Sequence, residues 1–173
     1  MDALEQAVAK VLSRKKLTIA VAESCTGGLV SHRLTNVSGS SGYFTTGVIA
    51  YSNRSKENIL GVSPKTIARH GAVSKEAVLE MAEGIRHLAC ADIGIGVTGI
   101  AGPTGGSKAK PVGLVYIAAL GIGIRGSGIV KEFRFKGSRE EIKFQASEAA
   151  LELLKAGLKR RGRVSSQYNN VRF

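Results

Sequence analysis

The chain predicts an α/β/α sandwich, a mixed sheet of about five strands with helices on both faces. Three observations carry this expectation. Strand-length apolar runs alternate with stretches of helical periodicity along most of the chain, the order that lays helices against a sheet. The last two strand-like runs, residues 113–120 and 127–135, are separated only by the short Gly121–Gly126 connection, which suits an antiparallel hairpin and makes the sheet mixed. The composition, 173 residues with 43% hydrophobic and 22% charged side chains, is that of one globular domain around one core.

Leu4, Val8, Val11 and Leu12 recur at helical spacing and predict an amphipathic helix over residues 3–15. Leu17–Ala22 reads as a strand whose apolar run stops at Glu23-Ser24-Cys25-Thr26-Gly27-Gly28. Leu29, Val30 and Leu34 then return to helical spacing, so strand, tight turn and helix follow one another with Ser24 on the turn. Residues 45–51 form a second strand, after which Ser52-Asn53 caps a short helix carrying Lys56. Ser63-Pro64 opens another helix with proline in its first turn, and Ser74 caps a longer one with Val78, Met81, Ala82 and Ile85 inward. Asp92–Val97 is a third strand, running into Thr98–Gly106, a loop too rich in glycine and proline to be regular. Ser138-Arg139-Glu140-Glu141 matches a capping box and opens a last helix to about Leu158, with Ile142, Ala146, Ala149, Ala150, Leu153 and Leu154 inward.

The expected organisation is one domain over residues 1–158 and a basic, flexible tail over 159–173. If strands 17–22, 45–51 and 92–97 run parallel, Ser24, the Tyr51–Lys56 stretch and the Thr98 loop all lie beyond strand C-terminal ends, where such sheets bind ligands. One cleft would then collect all three.

Charge and cysteine usage narrow the function classes. The net charge of +12 points to an anionic partner, whether nucleic acid, membrane surface or phosphorylated small molecule. Five of those charges, Lys159, Arg160, Arg161, Arg163 and Arg172, sit in the acid-free tail, so the tail is a separate feature. No apolar stretch approaches the ~20 residues needed to span a bilayer, and the acidic start Met1–Gln6 is unlike a secretory signal. Cys25 and Cys90 are too few for a disulfide framework and have no metal-ligand spacing with His32, His70 or His87. The expectation is a cytoplasmic protein with no metal and no cofactor.

A serine on a strand-to-helix turn, followed by Thr26-Gly27-Gly28, sits beside backbone N–H groups at a positive helix end, and those donors suit an oxyanion hole. The plainer alternative is that Ser24 and Thr26 cap the helix while the glycines permit the turn. The histidines suggest no triad, which leaves a lysine as the candidate base. Lys56 in that role must fall from ~10.4 to ~7–8, about 3–5 kcal/mol of environmental bias; the alternative is an ordinary surface lysine. Tyr51 equally fits a core aromatic. Thr98–Gly106 offers N–H groups beside small side chains, as phosphate-binding loops do, without a Walker or dinucleotide pattern, and a structural crossover fits as well. Arg139, in the first turn of the last helix, suits a phosphate or carbonyl oxygen or plain solvent.

Five segments occur in order: Ala22-Glu23-Ser24-Cys25-Thr26-Gly27-Gly28, Tyr51-Ser52-Asn53-Arg54-Ser55-Lys56, His70-Gly71-Ala72-Val73-Ser74, Val97-Thr98-Gly99-Ile100-Ala101-Gly102-Pro103 and Lys110-Pro111-Val112-Gly113. Together, across roughly residues 5–157, they resemble the CinA C-terminal domain family. The resemblance implies a nicotinamide mononucleotide deamidase, converting the nucleotide and water to nicotinic acid mononucleotide and ammonia in pyridine nucleotide salvage. It implies Ser24 as nucleophile and Lys56 as general base, with Tyr51, Thr98 and Arg139 supporting. It implies that the glycine-rich loop, Gly99, Gly102, Gly105 and Gly106 included, meets the nucleotide. Backbone N–H groups near Cys25, Thr26, Gly27 and Gly28 would hold the oxyanion.

This chain departs from the family in having Gly137-Ser138-Arg139 where Gly-Asp-Arg is usual; serine preserves the helix cap. Fused members carry an N-terminal domain, and the pyrophosphatase activity associated with it is not transferred to this chain, which reads as the stand-alone form. The expected partners are the nucleotide substrate and further copies in a homo-oligomer, with no membrane, and with nucleic acid only through the basic tail. Two competitors stay open. Cys25 with Glu23 and Lys56 supplies the residue types of a cysteine amidase, and a nucleotide- or nucleic-acid-binding protein without turnover would also suit the charge.

Overall fold

The structure, a computed structural model, describes residues 3–122 and 127–161, the side chains of 160 and 161 excepted. Strands β1 (Ile19–Glu23), β2 (Phe44–Ile49), β3 (Ile93–Gly99), β4 (Leu114–Leu120) and β5 (Ile129–Arg134) form one sheet in the order β2-β1-β3-β4-β5. β1 pairs in parallel with β2 and β3, whereas β3–β4 and β4–β5 are antiparallel. The sheet is therefore mixed, as expected, and the terminal pair is the expected antiparallel neighbour pair. Residues 123–126 of its connection lie outside the described residues.

The helices are α1 (Leu4–Lys15), α2 (Leu29–Thr35), α3 (Asn53–Leu60), α4 (Pro64–His70), α5 (Lys75–Leu88) and α6 (Arg139–Arg161). Strand alternation decides which layer each side chain joins. Ile19 and Val21 of β1 enter the core beneath α1, α2 and α6, while Ala20 and Ala22 face the layer that holds Leu60, Met81 and Ile85 of α3 and α5. Helix starts follow their caps: Ser52 Oγ accepts from Ser55 N–H, Ser63 Oγ from Lys65 N–H and Ser74 Oγ from Ala77 N–H. Ser138 and Glu141 exchange the reciprocal bonds of a capping box at the head of α6. None of the helices is long and apolar enough to cross a membrane among the described residues.

Several boundaries differ from the sequence expectation, among them that of β2, which ends at Ile49 and leaves Ala50 and Tyr51 beyond the strand. β1 continues through Glu23, whose backbone pairs with Ile49 and Val97 although its side chain is acidic. β3 continues through Thr98 and Gly99, expected as loop, because they pair with Tyr116 and Val115 of β4. α6 runs to Arg161, so the first three residues assigned to the tail are helical, and 162–173 lie outside the described residues.

The α5 layer lies unusually close to its neighbours. A Cβ on Gly94 would stand 2.1 Å from the Ala82 carbonyl oxygen, and one on Gly84 would stand 1.8 Å from that of Leu60. α5 thus seats directly on β3 on one side and on the end of α3 on the other. Gly84→Ala would ordinarily gain ~1 kcal/mol of helix propensity, but here it should destabilise by about 1–3 kcal/mol through overpacking against main chain. Urea unfolding measures this, and a stabilised variant would contradict the packing described.

Candidate active site

At the end of β1 two adjacent residues face opposite layers. Glu23, completely buried, turns toward α2: one carboxylate oxygen accepts from Gly28 N–H (3.0 Å) and Val30 N–H (3.1 Å), the other from Ser31 N–H (2.9 Å) and Ser31 Oγ–H (2.7 Å). Ser24 turns toward α3, its N–H donating to Val97 O at 3.0 Å and so extending the β1–β3 pairing by one residue. The chain then reverses through Gly27 and Gly28 in left-handed conformation, φ 62° and 97°, which glycine adopts without the Cβ penalty.

This arrangement corrects the expected donor set. Gly28 N–H is committed to Glu23 and Gly27 N–H to Ser24 O, so neither glycine is an oxyanion donor. The N–H groups of Cys25 and Thr26 are the ones in the turn that donate to no other residue among the described residues. Thr26 is itself fully buried, with its hydroxyl unpartnered among the described residues.

Lys56 lies in the first turn of α3 and is only 2% exposed. Its Nζ is 3.1 Å from Ser24 Oγ and 2.9 Å from Ala50 O, and among the described residues no carboxylate forms an ion pair with it. Burial holds its pKa below the ordinary lysine value, with only a weaker opposing influence from Cys25. The surface-lysine alternative is thereby removed. Cys25 is also buried, and that burial pushes its thiol up to about 12, the opposite of what a thiolate nucleophile requires.

Ser24, Cys25, Tyr51, Lys56, Thr98 and Arg139 line one cleft of about 240 Å³, at the C-terminal ends of the three parallel strands. Gly99, Gly102 and Gly105 line it too, whereas Thr26, Gly27, Gly28 and Gly106 do not. Gly106 instead lies against Val112, whose N would stand 2.8 Å from an added Cβ. Tyr51 is 59% exposed at the mouth, not a core aromatic; its hydroxyl accepts from Arg139 at 2.6 Å, and it makes no hydrogen bond with Ser24 or Lys56 among the described residues. Arg139 also donates to Gly102 O at 2.8 Å, joining α6 to the glycine-rich loop. Thr98 Oγ1 is committed to Ala72 O at 2.9 Å, so Thr98 ties two walls together from the floor. Sequence reasoning missed Asn53, Ala72, Val73 and Thr104, which with Ile100 and Ala101 complete the lining. Asn53 follows the Ser52 cap and reads as a helix start, and the 70–74 segment reads as a turn. Among the described residues no three His, Cys, Asp or Glu side chains are grouped to hold a metal ion.

Fold and site together define an α/β/α domain with a buried serine–lysine pair at the C-terminal edge of its parallel strands. The chain belongs to the CinA C-terminal domain family, whose profile matches residues 1–158. It is 54% identical over 153 residues to a protein of Moorella thermoacetica named for competence-damage induction, covering 88% of this chain and 36% of the relative. It is 50% identical over 157 residues to a CinA-like protein of Koribacter versatilis, covering 91% of this chain and 37% of that protein. The chain thus spans little more than a third of the length of these curated relatives. A crystal structure of a CinA superfamily protein from Klebsiella pneumoniae superposes with TM-score 0.85 at 37% identity, covering 90% of this chain and 96% of that one. That of the competence/damage inducible protein CihA from Agrobacterium tumefaciens gives 0.84 at 38% identity, covering 89% and 94%.

The lowered pKa of Lys56 has a consequence for stability. The folded state is penalised fully while pH is below the folded pKa, and the penalty fades as pH rises from there toward the unfolded value of 10.5, because in that window the unfolded chain holds the extra proton. The stability of wild type relative to Lys56→Met should therefore rise with pH across the alkaline range. Urea unfolding of both proteins at several pH values tests this; a pH-independent difference would contradict it.

Proposed function

We propose that the chain is a nicotinamide-nucleotide amidase, hydrolysing the carboxamide of nicotinamide mononucleotide to nicotinic acid mononucleotide and ammonia. The observation that carries this reading is the buried Lys56 amine, depressed in pKa and 3.1 Å from Ser24 Oγ. A neutral amine at that distance is a general base for a hydroxyl. Membership of the CinA C-terminal domain family supports the substrate, through what the motifs imply.

In this mechanism neutral Lys56 takes the Ser24 proton as Oγ attacks the amide carbon. The resulting oxyanion is held by the N–H group of Cys25, the uncommitted donor of the turn that lines the cleft. Protonated Lys56 gives its proton to the departing nitrogen, ammonia leaves, and an ester to Ser24 remains. Lys56 then deprotonates a water that attacks the ester, the carboxylate departs, and the proton returns to Ser24. Ala50 O, at 2.9 Å, keeps Nζ aimed through both half-reactions. Arg139, fixed to Gly102 O and Tyr51 OH at the mouth, provides a cation for an anionic nucleotide, so a phosphorylated substrate is favoured over the free base.

Ammonia release from nicotinamide mononucleotide, with nicotinamide for comparison, tests the reading. Ser24→Ala and Lys56→Ala should each lose turnover by about 10³-fold or more, the scale of losing a nucleophile or its base, with unchanged circular dichroism. Cys25→Ser should keep activity. Normal turnover in Ser24→Ala, or loss confined to the cysteine variant, would overturn the mechanism.

A further inference from the structure

The segment His70–Val73 is held by side chains in a way that the chemistry above does not use. Four consecutive carbonyls are each bound by a side chain. Lys110 Nζ donates to His70 O (2.5 Å) and Val73 O (2.7 Å), Ser74 Oγ to Gly71 O (2.9 Å) and Thr98 Oγ1 to Ala72 O (2.9 Å). Ala72 and Val73 are cleft lining, so this is a wall of the candidate site. In a trans peptide the C=O and N–H point in opposite directions. Fixing the carbonyls of Gly71 and Ala72 therefore also fixes the N–H directions of Ala72 and Val73, and neither N–H donates to another residue among the described residues.

Lys110 reaches this wall from a separate loop. It belongs to the loop between β3 and β4, which is closed at its base by Ile100 N–H to Leu114 O and Gly113 N–H to Ile100 O. Its own backbone is fixed by Ser107, whose N–H donates to Lys110 O and whose Oγ accepts from Lys110 N–H. The same loop supplies Gly102, held by Arg139. Lys110 itself is not part of the cleft lining, and no carboxylate forms an ion pair with it among the described residues. Its ammonium is spent on two main-chain carbonyls, charge-assisted bonds of the stronger kind.

We propose that Lys110 is a positioning residue for substrate binding: its ammonium straps the 70–73 wall to the 100–113 loop and so sets the width of the cleft. This rests on the amidase reading. Without the strap, the His70 and Val73 carbonyls lose their donors and the wall is free to turn acceptor groups toward an anionic, oxygen-rich substrate, which weakens binding. The Ser24–Lys56 pair makes no contact with Lys110, so the chemical step itself is left standing.

The test is steady-state ammonia release from nicotinamide mononucleotide by wild type, Lys110→Ala and Lys110→Cys, the last before and after alkylation with bromoethylamine. Alkylation of that variant rebuilds a lysine-length ammonium at position 110. Wild type carried through the same alkylation controls for reaction at the exposed Cys90. Lys110→Ala and untreated Lys110→Cys should raise KM by about tenfold or more, the scale of one lost charge-assisted contact, with kcat within about threefold of wild type. Alkylation should restore KM. An unchanged KM, a loss confined to kcat, or no rescue on alkylation while wild type is active would overturn the proposal. An inactive wild type would instead sink the amidase reading beneath it.

Discussion

Burying a lysine amine without a carboxylate to neutralise it is the constraint on which this site depends. Desolvation disfavours the charged form, and at Lys56 no ion pair among the described residues offsets it. The partners that remain are a hydroxyl and a carbonyl oxygen. That set tolerates a neutral amine that accepts from Ser24, and it is also the set that a base requires. The same environment raises the neighbouring Cys25 thiol to about 12. Burial thus acts alike on the two groups beside Ser24, favouring the neutral form of each: it lowers the Lys56 amine and keeps the Cys25 thiol protonated.

The sheet makes this burial possible by sending Glu23 and Ser24 to opposite layers. Glu23 occupies the first N–H groups of α2, so the negative charge next to Ser24 is saturated by donors rather than left facing Lys56. Had those helix donors stayed free, they would have been the obvious oxyanion site. With them committed, Cys25 N–H is the uncommitted donor of the turn that lines the cleft. On the opposite layer, α3 is held by α5, whose Gly84 admits the Leu60 carbonyl. The position of Lys56 Nζ is therefore a property of the α5 layer as much as of its own short helix.

Much of the architecture was legible because its signals are local. Ser52, Ser63, Ser74 and Ser138 mark helix starts by their own side chains, and each does cap its helix. The inward residues of α5 and α6 follow from period alone. Where the reading missed, the determinant was long range. Thr98-Gly99 looks like loop until β4 pairs with it, and Glu23 looks like a turn residue until α2 folds back onto its carboxylate. The Ser24–Lys56 partnership spans 32 residues; spacing offered only candidates, and the ordered motifs joined them. Tyr51 and Arg139 were named separately, but their bond across 88 residues was not foreseeable from either segment. Gly106 was placed on the cleft with the rest of the glycine-rich loop that the resemblance implies, but it lies against Val112 and is not in the lining.

The protonation state of Lys56 tests the central claim most directly. NMR of protein carrying 13C-labelled lysine, with the Lys56 signal assigned from its loss in Lys56→Arg, follows the titration in the folded state. A midpoint well below 10.5, with the rise of kcat/KM for ammonia release following the same midpoint, is the result predicted. Titration of Lys56 at the ordinary lysine value of 10.5 would contradict it.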